Sequence, residues 1–254
     1  MTTSPILVTG GTGTLGGHVV PLLRAAGREV RVLSRHRRES GDGIEYVAGD
    51  LLKGEGIEAA VDGVEIVLHL AGGPKGDDEA TRNLVRAASK AGVRHLVYIS
   101  VIGADKVPLG YFKAKLGAEQ AVADSGIPWT TLRAAQFHDL VLTVVEKMAK
   151  LPVIPVPGGL RFQPVDSREV AARLVELTLG KPAGLVPDLA GPKVYGMADL
   201  ARGHLQARGK RRLMMPVRMP GKAGRAYRAA ENLSLEGAAV GERTWEDFLA
   251  ERVG

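Results

Sequence analysis

Apolar and polar positions follow two alternating patterns along about the first 180 residues of the chain. Short apolar runs predict strands, and longer stretches with an apolar residue every three or four positions predict helices. The predicted strands are residues 6–9, 29–33, 44–47, 64–70, 93–100 and 129–133, and the predicted helices are 18–26, 78–91 and 109–125. Alternating strands and helices are typical of βαβ units, so we expect a doubly wound α/β fold around a parallel sheet.

The pattern changes after about Pro152, where prolines and glycines separate short apolar runs. We therefore expect a larger domain at residues 1–150 and a smaller substrate-binding lobe at residues 151–254. Residues 162–180 are expected to pack back on the larger domain, in a helix whose N-cap is Asp166 or Ser167. Further helices are predicted at 197–207 and from Thr244 onward.

The composition excludes several classes of protein. The 254 residues include 33 glycines, no cysteine and only 4% aromatic residues. Without cysteine there is no disulfide framework, iron–sulfur cluster or cysteine nucleophile, and the histidines show no metal-ligand spacing, so no metal is expected. The N-terminus lacks a basic leader pattern, and no apolar run reaches the ~18 residues of a membrane span. We expect a cytoplasmic protein without a membrane partner.

The net charge of +6 comes from one C-terminal segment. No acidic residue lies between Asp199 and Glu231, whereas nine basic residues do; 34 basic residues minus these nine leaves 25 against 28 acidic residues. The segment could be a solvated surface, a positive wall near an anionic substrate or the cofactor phosphates, or a contact for a nucleic acid or protein. Its only aromatic residue is Tyr227, and it shows no helix-turn-helix pattern, so a nucleic-acid partner is not expected.

A glycine-rich turn directly follows the first predicted strand. Gly10, Gly13 and Gly16 stand at intervals of three, and a helix follows. Glycine at these positions permits a tight turn, lets the backbone approach a pyrophosphate and lets the helix pack closely on the strand. The first N–H groups of that helix are suited to binding phosphate. The pattern, placed between strand and helix, predicts a dinucleotide site of Rossmann type.

The end of the second strand indicates which dinucleotide binds. NAD-binding chains usually carry an acidic residue here, whereas this chain has Ser34 and Arg35 and no carboxylate before Glu39. A guanidinium and a hydroxyl can bind a ribose 2′-phosphate. The alternative is a solvated basic loop, but the pattern favours NADP.

The sequence resembles the short-chain dehydrogenase/reductase superfamily, and within it the atypical NmrA-like branch. The resemblance covers most of the chain. It rests on residues 8–16 (VTGGTGTLG), 49–51 (GDL), 80–88 (ATRNLVRAA), 92–100 (GVRHLVYIS), 129–133 (WTTLR) and 163–166 (QPVD). These motifs are specific for the family but not for a substrate.

The resemblance implies a role for each matching position. Asp50 and Leu51 would lie beside the adenine, and the segment from His69 to Gly72 would line the cofactor. Gln136, Phe137 and His138 would approach the nicotinamide or the substrate. With the glycine-rich turn, the complete set of predicted cofactor-binding residues is Gly10, Thr12, Gly13, Thr14, Leu15, Gly16, Ser34, Arg35, Asp50, Leu51, Leu70, Ala71, Gly72 and Lys115.

The predicted catalytic residues are Ser100, Tyr111 and Lys115. Tyr111 and Lys115 match the superfamily's YxxxK motif, and at this spacing they share one face of a helix. A nearby ammonium favours the phenolate form of a tyrosine and so suits it to acid–base work. Lys115 would also hold the ribose, and Ser100 would bind the substrate's carbonyl oxygen.

The resemblance implies an NADP(H)-dependent oxidoreductase that transfers hydride between the nicotinamide and a carbonyl or quinone-like small molecule. The alternative is a noncatalytic NADP(H) sensor that regulates a partner, because many atypical members bind cofactor without clear catalysis. A nucleotide-sugar epimerase fits less well, since the C-terminal lobe is short and has no recognisable sugar-nucleotide pattern. The sequence does not indicate an oligomeric state.

Overall fold

The secondary structure is known from a computed structural model that describes residues 4–73 and 75–253. Its helices are α1 (Thr14–Ala25), α2 (Ile57–Val61), α3 (Asp77–Lys90), α4 (Gly110–Ala123), α5 (His138–Met148), α6 (Ser167–Leu179), α7 (Met197–Ala207), α8 (Gly221–Arg228) and α9 (Trp245–Val253). Its strands are β1 (Ile6–Thr9), β2 (Val30–Ser34), β3 (Ile44–Ala48), β4 (Ile66–His69), β5 (His95–Val101), β6 (Trp129–Ala134), β7 (Val153–Pro157), β8 (Arg161–Phe162), β9 (Gly184–Leu185), β10 (Leu189–Ala190), β11 (Tyr195–Gly196), β12 (Leu213–Val217) and β13 (Ala239–Val240).

The chain forms two compact units, and neither is continuous in sequence. The first comprises the described part of Met1–Ser100 together with Gly110–Arg133 and Val170–Val186. The second comprises Val101–Leu109, Ala134–Glu169 and the described part of Pro187–Gly254. The sequence-based division at residue 150 stays a prediction.

The first unit is built on a sheet with the strand order β6-β5-β4-β1-β2-β3, and β9 pairs with β6. Strand β1 runs parallel to both β2 and β4, with Ile6 opposite Val30 on one side and Ile66 on the other. Strands β2 and β3 therefore lie on one side of β1, and β4, β5 and β6 lie on the other. This reversal of strand order creates a crevice beyond the carboxyl end of β1. The predicted doubly wound, Rossmann-type α/β fold is confirmed.

The sheet of the first unit is covered by apolar helix faces. Leu84 and Ala88 of α3 and Val122 of α4 are fully buried, and they pack in one cluster with Leu96 of β5. The spacing of four between Leu84 and Ala88 places both on the same side of α3. The buried strands read as nearly continuous apolar runs because both faces of the sheet are covered.

The second unit contains three small pairs of strands and its own core. Strand β7 runs parallel to β12, β10 runs parallel to β13, and β8 is antiparallel to β11. The core surrounds Trp245, which packs with Phe248 of α9, Leu200 of α7 and Val145 of α5. A smaller cluster lies under the β7–β12 pair and includes Ile154.

The six predicted strands of the first half are confirmed to within two residues at each end. Helix α1 begins at Thr14, four residues earlier than predicted, because the helix starts inside the glycine-rich turn with Gly13 as its N-cap. Helix α5 was not predicted, and neither were β7 and β12. None of the helices in residues 4–73 and 75–253 is long and apolar enough to cross a membrane.

Candidate functional site

Backbone atoms of neighbouring segments lie very close to the glycine-rich turn between β1 and α1. Gly10 has a φ of +71°, and a Cβ there would lie 2.6 Å from the backbone nitrogen of Ala71. A Cβ on Gly16 would overlap the carbonyl oxygen of Gly10, so α1 packs directly on the turn. No side chain caps the N-terminus of α1. Its first N–H groups are thus suited to bind an anion, as predicted from the spacing.

A cavity of about 480 Å³ opens beside this turn. Its walls come from the carboxyl ends of four neighbouring strands. Thr9 is the last residue of β1 and Ser34 the last of β2, while Gly49 directly follows β3 and Leu70 directly follows β4. This is the crevice that the strand order predicts, and its volume suits a small-molecule ligand. The predicted cofactor-binding residues that line it are Gly10, Thr12, Gly13, Ser34, Arg35, Asp50, Leu51, Leu70, Ala71 and Gly72.

The outer end of the cavity carries the residues predicted to select the cofactor. Ser34 is buried, and its Oγ accepts a hydrogen bond from the backbone N–H of His36 at 3.3 Å. Arg35 is exposed and lines the cavity beside it. The carboxylate of Asp50 accepts backbone N–H groups of Leu52 and Lys53, so it closes a local turn as well as lining the cavity.

A chain of buried hydrogen bonds supports the inner wall of the cavity. The His69 ring lies between two threonines, with Nδ1 at 2.6 Å from Thr9 Oγ1 and Nε2 at 3.0 Å from Thr81 Oγ1. Thr81 donates its hydroxyl proton to the carbonyl of Asp77, so it accepts from Nε2–H. Thr9 then donates to Nδ1 and accepts the backbone N–H of Ala71 at 3.2 Å. The chain fixes Ala71 in the wall.

His69 stays neutral in this chain. Burial, together with the positive charge of Lys115, lowers its pKa to about 3. A neutral ring with one N–H and one acceptor nitrogen satisfies both threonines. The tautomer with the proton on Nε2 follows from the direction of the Thr81 hydrogen bond.

Lys115 lies directly behind the same wall. It is 5% exposed, and its Nζ is 3.0 Å from Asp77 Oδ2 and 5.2 Å from the centre of the Tyr98 ring. A Cβ on Gly72 would come within 2.9 Å of this Nζ, so the ammonium is packed against the cavity-lining backbone. The other oxygen of Asp77 accepts the N–H of Gly73 at 2.6 Å. Asp77 therefore joins the lysine to the loop.

The other two predicted catalytic residues also stand outside the residues that line the cavity. Tyr111 is 39% exposed and contacts the ring of Phe112 edge-on. Ser100 is buried, and its Oγ has no hydrogen-bond partner within the described structure. Lys115 connects this region to β5, because its Nζ is 3.5 Å from the carbonyl oxygen of Ile99.

The three predicted substrate residues fall in the second unit. Phe137 is the N-cap of α5 and pairs with Val165, while Gln136 accepts the backbone N–H of Val165. His138 is completely buried, with its ring 5.2 Å from that of Phe248, and neither ring nitrogen has a partner in the described structure. Burial lowers its pKa. His138 therefore packs in an aromatic core.

Sequence reasoning missed Asp77, Thr9 and Thr81 as members of this site. Asp77 begins α3, and an acidic residue at that position also suits the helix dipole, so nothing local distinguishes it. Its pairing with Lys115 joins residues 38 positions apart. Such a contact follows from the packing of α3 on α4 and leaves no periodic signal in the sequence.

Taken together, a parallel sheet with a strand-order reversal, a glycine turn that a Cβ would fill, and a cavity at the strand ends define a dinucleotide-binding α/β protein. The chain matches the NAD(P)H-binding family over residues 10–176 and belongs to that family. The predicted resemblance and the nicotinamide dinucleotide as cofactor are confirmed.

Named relatives share most of the chain. It is 34% identical over 181 residues to the (4-alkanoyl-5-oxo-2,5-dihydrofuran-3-yl)methyl phosphate reductase of Streptomyces griseus, an alignment covering 69% of this chain but only 63% of that protein. It is 30% identical to the NAD(P)H azoreductase of Xenophilus azovorans over 81% of this chain and 74% of that one. An NADPH-dependent quinone oxidoreductase of Escherichia coli, solved with NADPH, has the same fold, with a TM-score of 0.84, 21% identity and 98% and 100% coverage of the two chains.

Proposed function

We propose that this protein is an NADPH-dependent reductase that acts on a small carbonyl or quinone-like compound. The observation that carries the proposal is the cavity itself, in which the glycine turn, the Ser34–Arg35 pair and the wall backed by Lys115 meet. Family membership supports the cofactor class, and the names of the two sequence relatives support the reductase class.

Different residues of the cavity would bind different parts of the cofactor. The turn at Gly10–Gly16 and the uncapped N-terminus of α1 would bind the pyrophosphate. Ser34 and Arg35 would bind the 2′-phosphate, because a guanidinium forms strong charge-assisted hydrogen bonds with phosphate. Asp50 and Leu51 would lie beside the adenine, and Leu70, Ala71 and Gly72 would form the wall along the rest of the molecule.

The remaining residues would act near the reacting atoms. When bound, the cofactor would supply a hydride to the carbonyl carbon of the substrate. The carbonyl oxygen of the substrate would then take up one proton. Tyr111 would donate that proton and Ser100 would hydrogen-bond the oxygen. An ammonium has three N–H donors, and Asp77 and the Ile99 carbonyl occupy two positions around Lys115. The third would be available to a ribose hydroxyl.

The cofactor preference can be tested by titrating the purified protein with NADPH and NADH. We expect NADPH to bind more tightly, and Arg35→Gln to weaken NADPH binding by roughly tenfold or more while changing NADH binding little. Arg37→Gln is the matched control, since Arg37 is also exposed but does not line the cavity. Equal affinity for both cofactors in the unmodified protein would refute the phosphate assignment.

The proton-donor role requires a separate experiment. Tyr111→Phe should lower the single-turnover rate of ketone reduction by roughly 100-fold or more while leaving NADPH affinity unchanged. A quinone substrate depends less on a positioned acid, so we expect a smaller loss for it. Full ketone activity in the Tyr111→Phe protein would exclude Tyr111 as the donor.

A noncatalytic NADPH sensor is the second candidate. It is favoured by one observation, namely that Ser100, Tyr111 and Lys115 are absent from the residues that line the cavity. A panel of ketones, quinones and azo compounds, followed by NADPH oxidation, separates the two proposals. Turnover of any of them supports the reductase, whereas NADPH binding without turnover, together with a partner protein captured only in the presence of NADPH, supports the sensor.

A further inference from the structure

The strand pair β7–β12 in the second unit exposes a row of apolar side chains. The two strands are parallel, with Leu213 opposite Val153 and Met215 opposite Pro155. Residues two apart in a strand point to the same face, so these four side chains share one side of the pair. We call it the β7–β12 face. Leu213 is 75% exposed, Met215 53% and Val153 39%.

The opposite side of the same pair is an ordinary core surface. Ile154 and Val156 are buried, and Met214 packs with them against Leu205 of α7. The unit therefore already has its apolar layer on one side of the strands. The large apolar side chains on the other side do not serve that core, and an exposed apolar row of this kind is typical of an interaction surface.

Basic residues flank strands β7 and β12 along the chain. Neither residues 147–165 nor residues 200–230 contain an acidic side chain. Lys150 stands three residues before Val153, and Arg211 and Arg212 stand directly before Leu213. Because β7 and β12 are parallel and in register, these residues lie at the same end of the strand pair. Arg218 follows β12 at the other end.

Most of these basic side chains are exposed. Lys147, Lys150, Lys210, Arg211, Arg212, Arg218 and Lys222 are all on the surface. The nearest carboxylate along the chain, Glu146, is paired with Arg208 at 3.4 Å. Within residues 147–165 and 200–230, which include both strands of the face, the exposed charges are therefore all positive.

We propose that the β7–β12 face, with its basic surroundings, binds the surface of an anionic phospholipid membrane. The expectation of no membrane partner rested on the lack of a membrane-spanning apolar run, and binding to a membrane surface requires no such run. Lysine and arginine side chains near such a surface are attracted by the acidic headgroups, and exposed leucine and methionine side chains gain by entering the region between headgroups and acyl chains. The apolar side chains of the face suit the region at the acyl chains, and the basic residues beside it, the basic rim, suit the acidic headgroups.

Other occupants match only one of these features. A second copy of the chain placed on the same face would bring the basic rims of two molecules together, and like charges disfavour that contact. A nucleic acid would neutralise the rim but would offer nothing to Leu213 and Met215. The face also has no aromatic side chain on which bases could stack.

The proposal can be tested by sedimenting the full-length protein with vesicles. We expect binding to phosphatidylcholine vesicles that contain about 30% phosphatidylglycerol, and little binding to phosphatidylcholine alone. Raising the salt concentration to about 0.5 M should weaken the binding, because the attraction is screened. Equal binding to both kinds of vesicle, or none to either, would overturn the proposal.

Two pairs of variants separate the charged and apolar contributions. Arg211→Gln with Arg212→Gln should weaken binding by roughly tenfold, whereas Lys90→Gln with Arg94→Gln removes the same charge elsewhere and should not. Leu213→Ser with Met215→Ser should also weaken it, whereas Leu185→Ser with Val240→Ser, at similarly exposed positions, should not. Equal losses from the variants and their controls would show a contact that is not at this face.

The absence of cysteine allows a direct measurement of insertion. Leu213→Cys, labelled with an environment-sensitive fluorophore, should show a blue-shifted emission when anionic vesicles are added, and Leu185→Cys with the same label should not. Melting temperature and NADPH affinity serve as measures of folding. An unshifted Leu213→Cys emission in vesicle-bound protein would overturn the proposal.

Two further measurements address the other occupants. Size-exclusion chromatography with light scattering would reveal a dimer, and a dimer that the Leu213→Ser and Met215→Ser changes dissociate would overturn the membrane proposal. Binding of a labelled DNA or RNA oligonucleotide that these two changes leave intact, in the absence of vesicle binding, would assign the basic rim to nucleic acid instead.

Discussion

The inner wall of the cavity and the β7–β12 face use charged side chains in opposite ways. In the first unit, Asp77 and Lys115 are both about 5% exposed and pair with each other at 3.0 Å. In the second unit, Arg211, Arg212 and Lys222 extend into solvent. A buried charge without its partner is strongly destabilising, whereas an exposed charge contributes little to folding and acts through its long-range field. We therefore expect changes at the wall to affect stability and cofactor binding together, and changes at the face to affect neither.

The largest effect is expected from Asp77→Ala. It leaves the Lys115 ammonium buried without its carboxylate, which should lower the free energy of unfolding by about 3–5 kcal/mol. Urea denaturation measures the change. Asp78→Ala is the matched control, because Asp78 is next in the chain but, among the described residues, forms its ion pair with the exposed Arg82, and its loss should be below about 1 kcal/mol.

The pair can be examined further with a double variant. Lys115→Met in the Asp77→Ala background removes the unpaired ammonium and should restore much of the lost stability. It should not restore NADPH affinity if Lys115 binds the ribose. Similar losses from Asp77→Ala and Asp78→Ala would show that burial of the pair has no energetic consequence.

A smaller effect is expected from neighbouring glycines in α1. Gly16→Ala places a Cβ against the carbonyl oxygen of Gly10 and should lower stability by about 1–3 kcal/mol and weaken NADPH binding. Gly17 has open space around the corresponding position, so Gly17→Ala should instead stabilise the helix by up to about 1 kcal/mol. Thermal melting with and without NADPH measures both. The same sign for the two changes would contradict the close packing of α1 on the turn.

The buried histidines give a dependence of stability on pH. Burial lowers the pKa of His69 and of His138 below the usual 6.5, so the unfolded chain takes up their protons first as the pH falls. Their contribution to stability is complete above about pH 6.5, and each should lose about 1.4 kcal/mol per pH unit below it until its own lowered pKa is reached.

His138→Phe tests this dependence in the second unit. The ring packs against Trp245 and Phe248, which stack on each other, so phenylalanine should fit in this aromatic cluster. We expect the variant to gain stability relative to the original protein as the pH falls from 7 to about 5. His36→Asn, at an exposed position, is the control, and parallel pH curves for the original and His138→Phe proteins would refute the prediction.

The smallest effect is expected at the exposed basic residues. Arg218→Gln and Lys222→Gln should each change the free energy of unfolding by less than about 0.5 kcal/mol. Lys222 stands in the first turn of α8, where a positive charge is slightly unfavourable, so its removal should be neutral or stabilising. A large loss in urea denaturation would mean that these charges have a structural role, and the contrast with the cavity wall would fail.

Features of the molecule that depend on neighbouring residues could be predicted from the sequence. Strands of the first unit could be predicted because each is a short apolar run, and the turn at Gly10 could be predicted because its φ and close approaches require glycine. These properties depend on neighbours within a few residues. Helix α5 was not predicted, although its buried Val141 and Val145 share one face; that face packs against α7 and α9, far along the chain.

The sequence by itself determined the α/β fold, the position of the dinucleotide site and the concentration of positive charge near the C-terminus. Only the tertiary structure decided that Asp77 neutralises Lys115 behind the cavity wall, that His138 lies in an aromatic core, and that Leu213 is exposed beside Val153. The reason is physical. Periodicity and turn geometry are local, whereas ion pairs, burial and exposed faces depend on which distant segments the folded chain brings together.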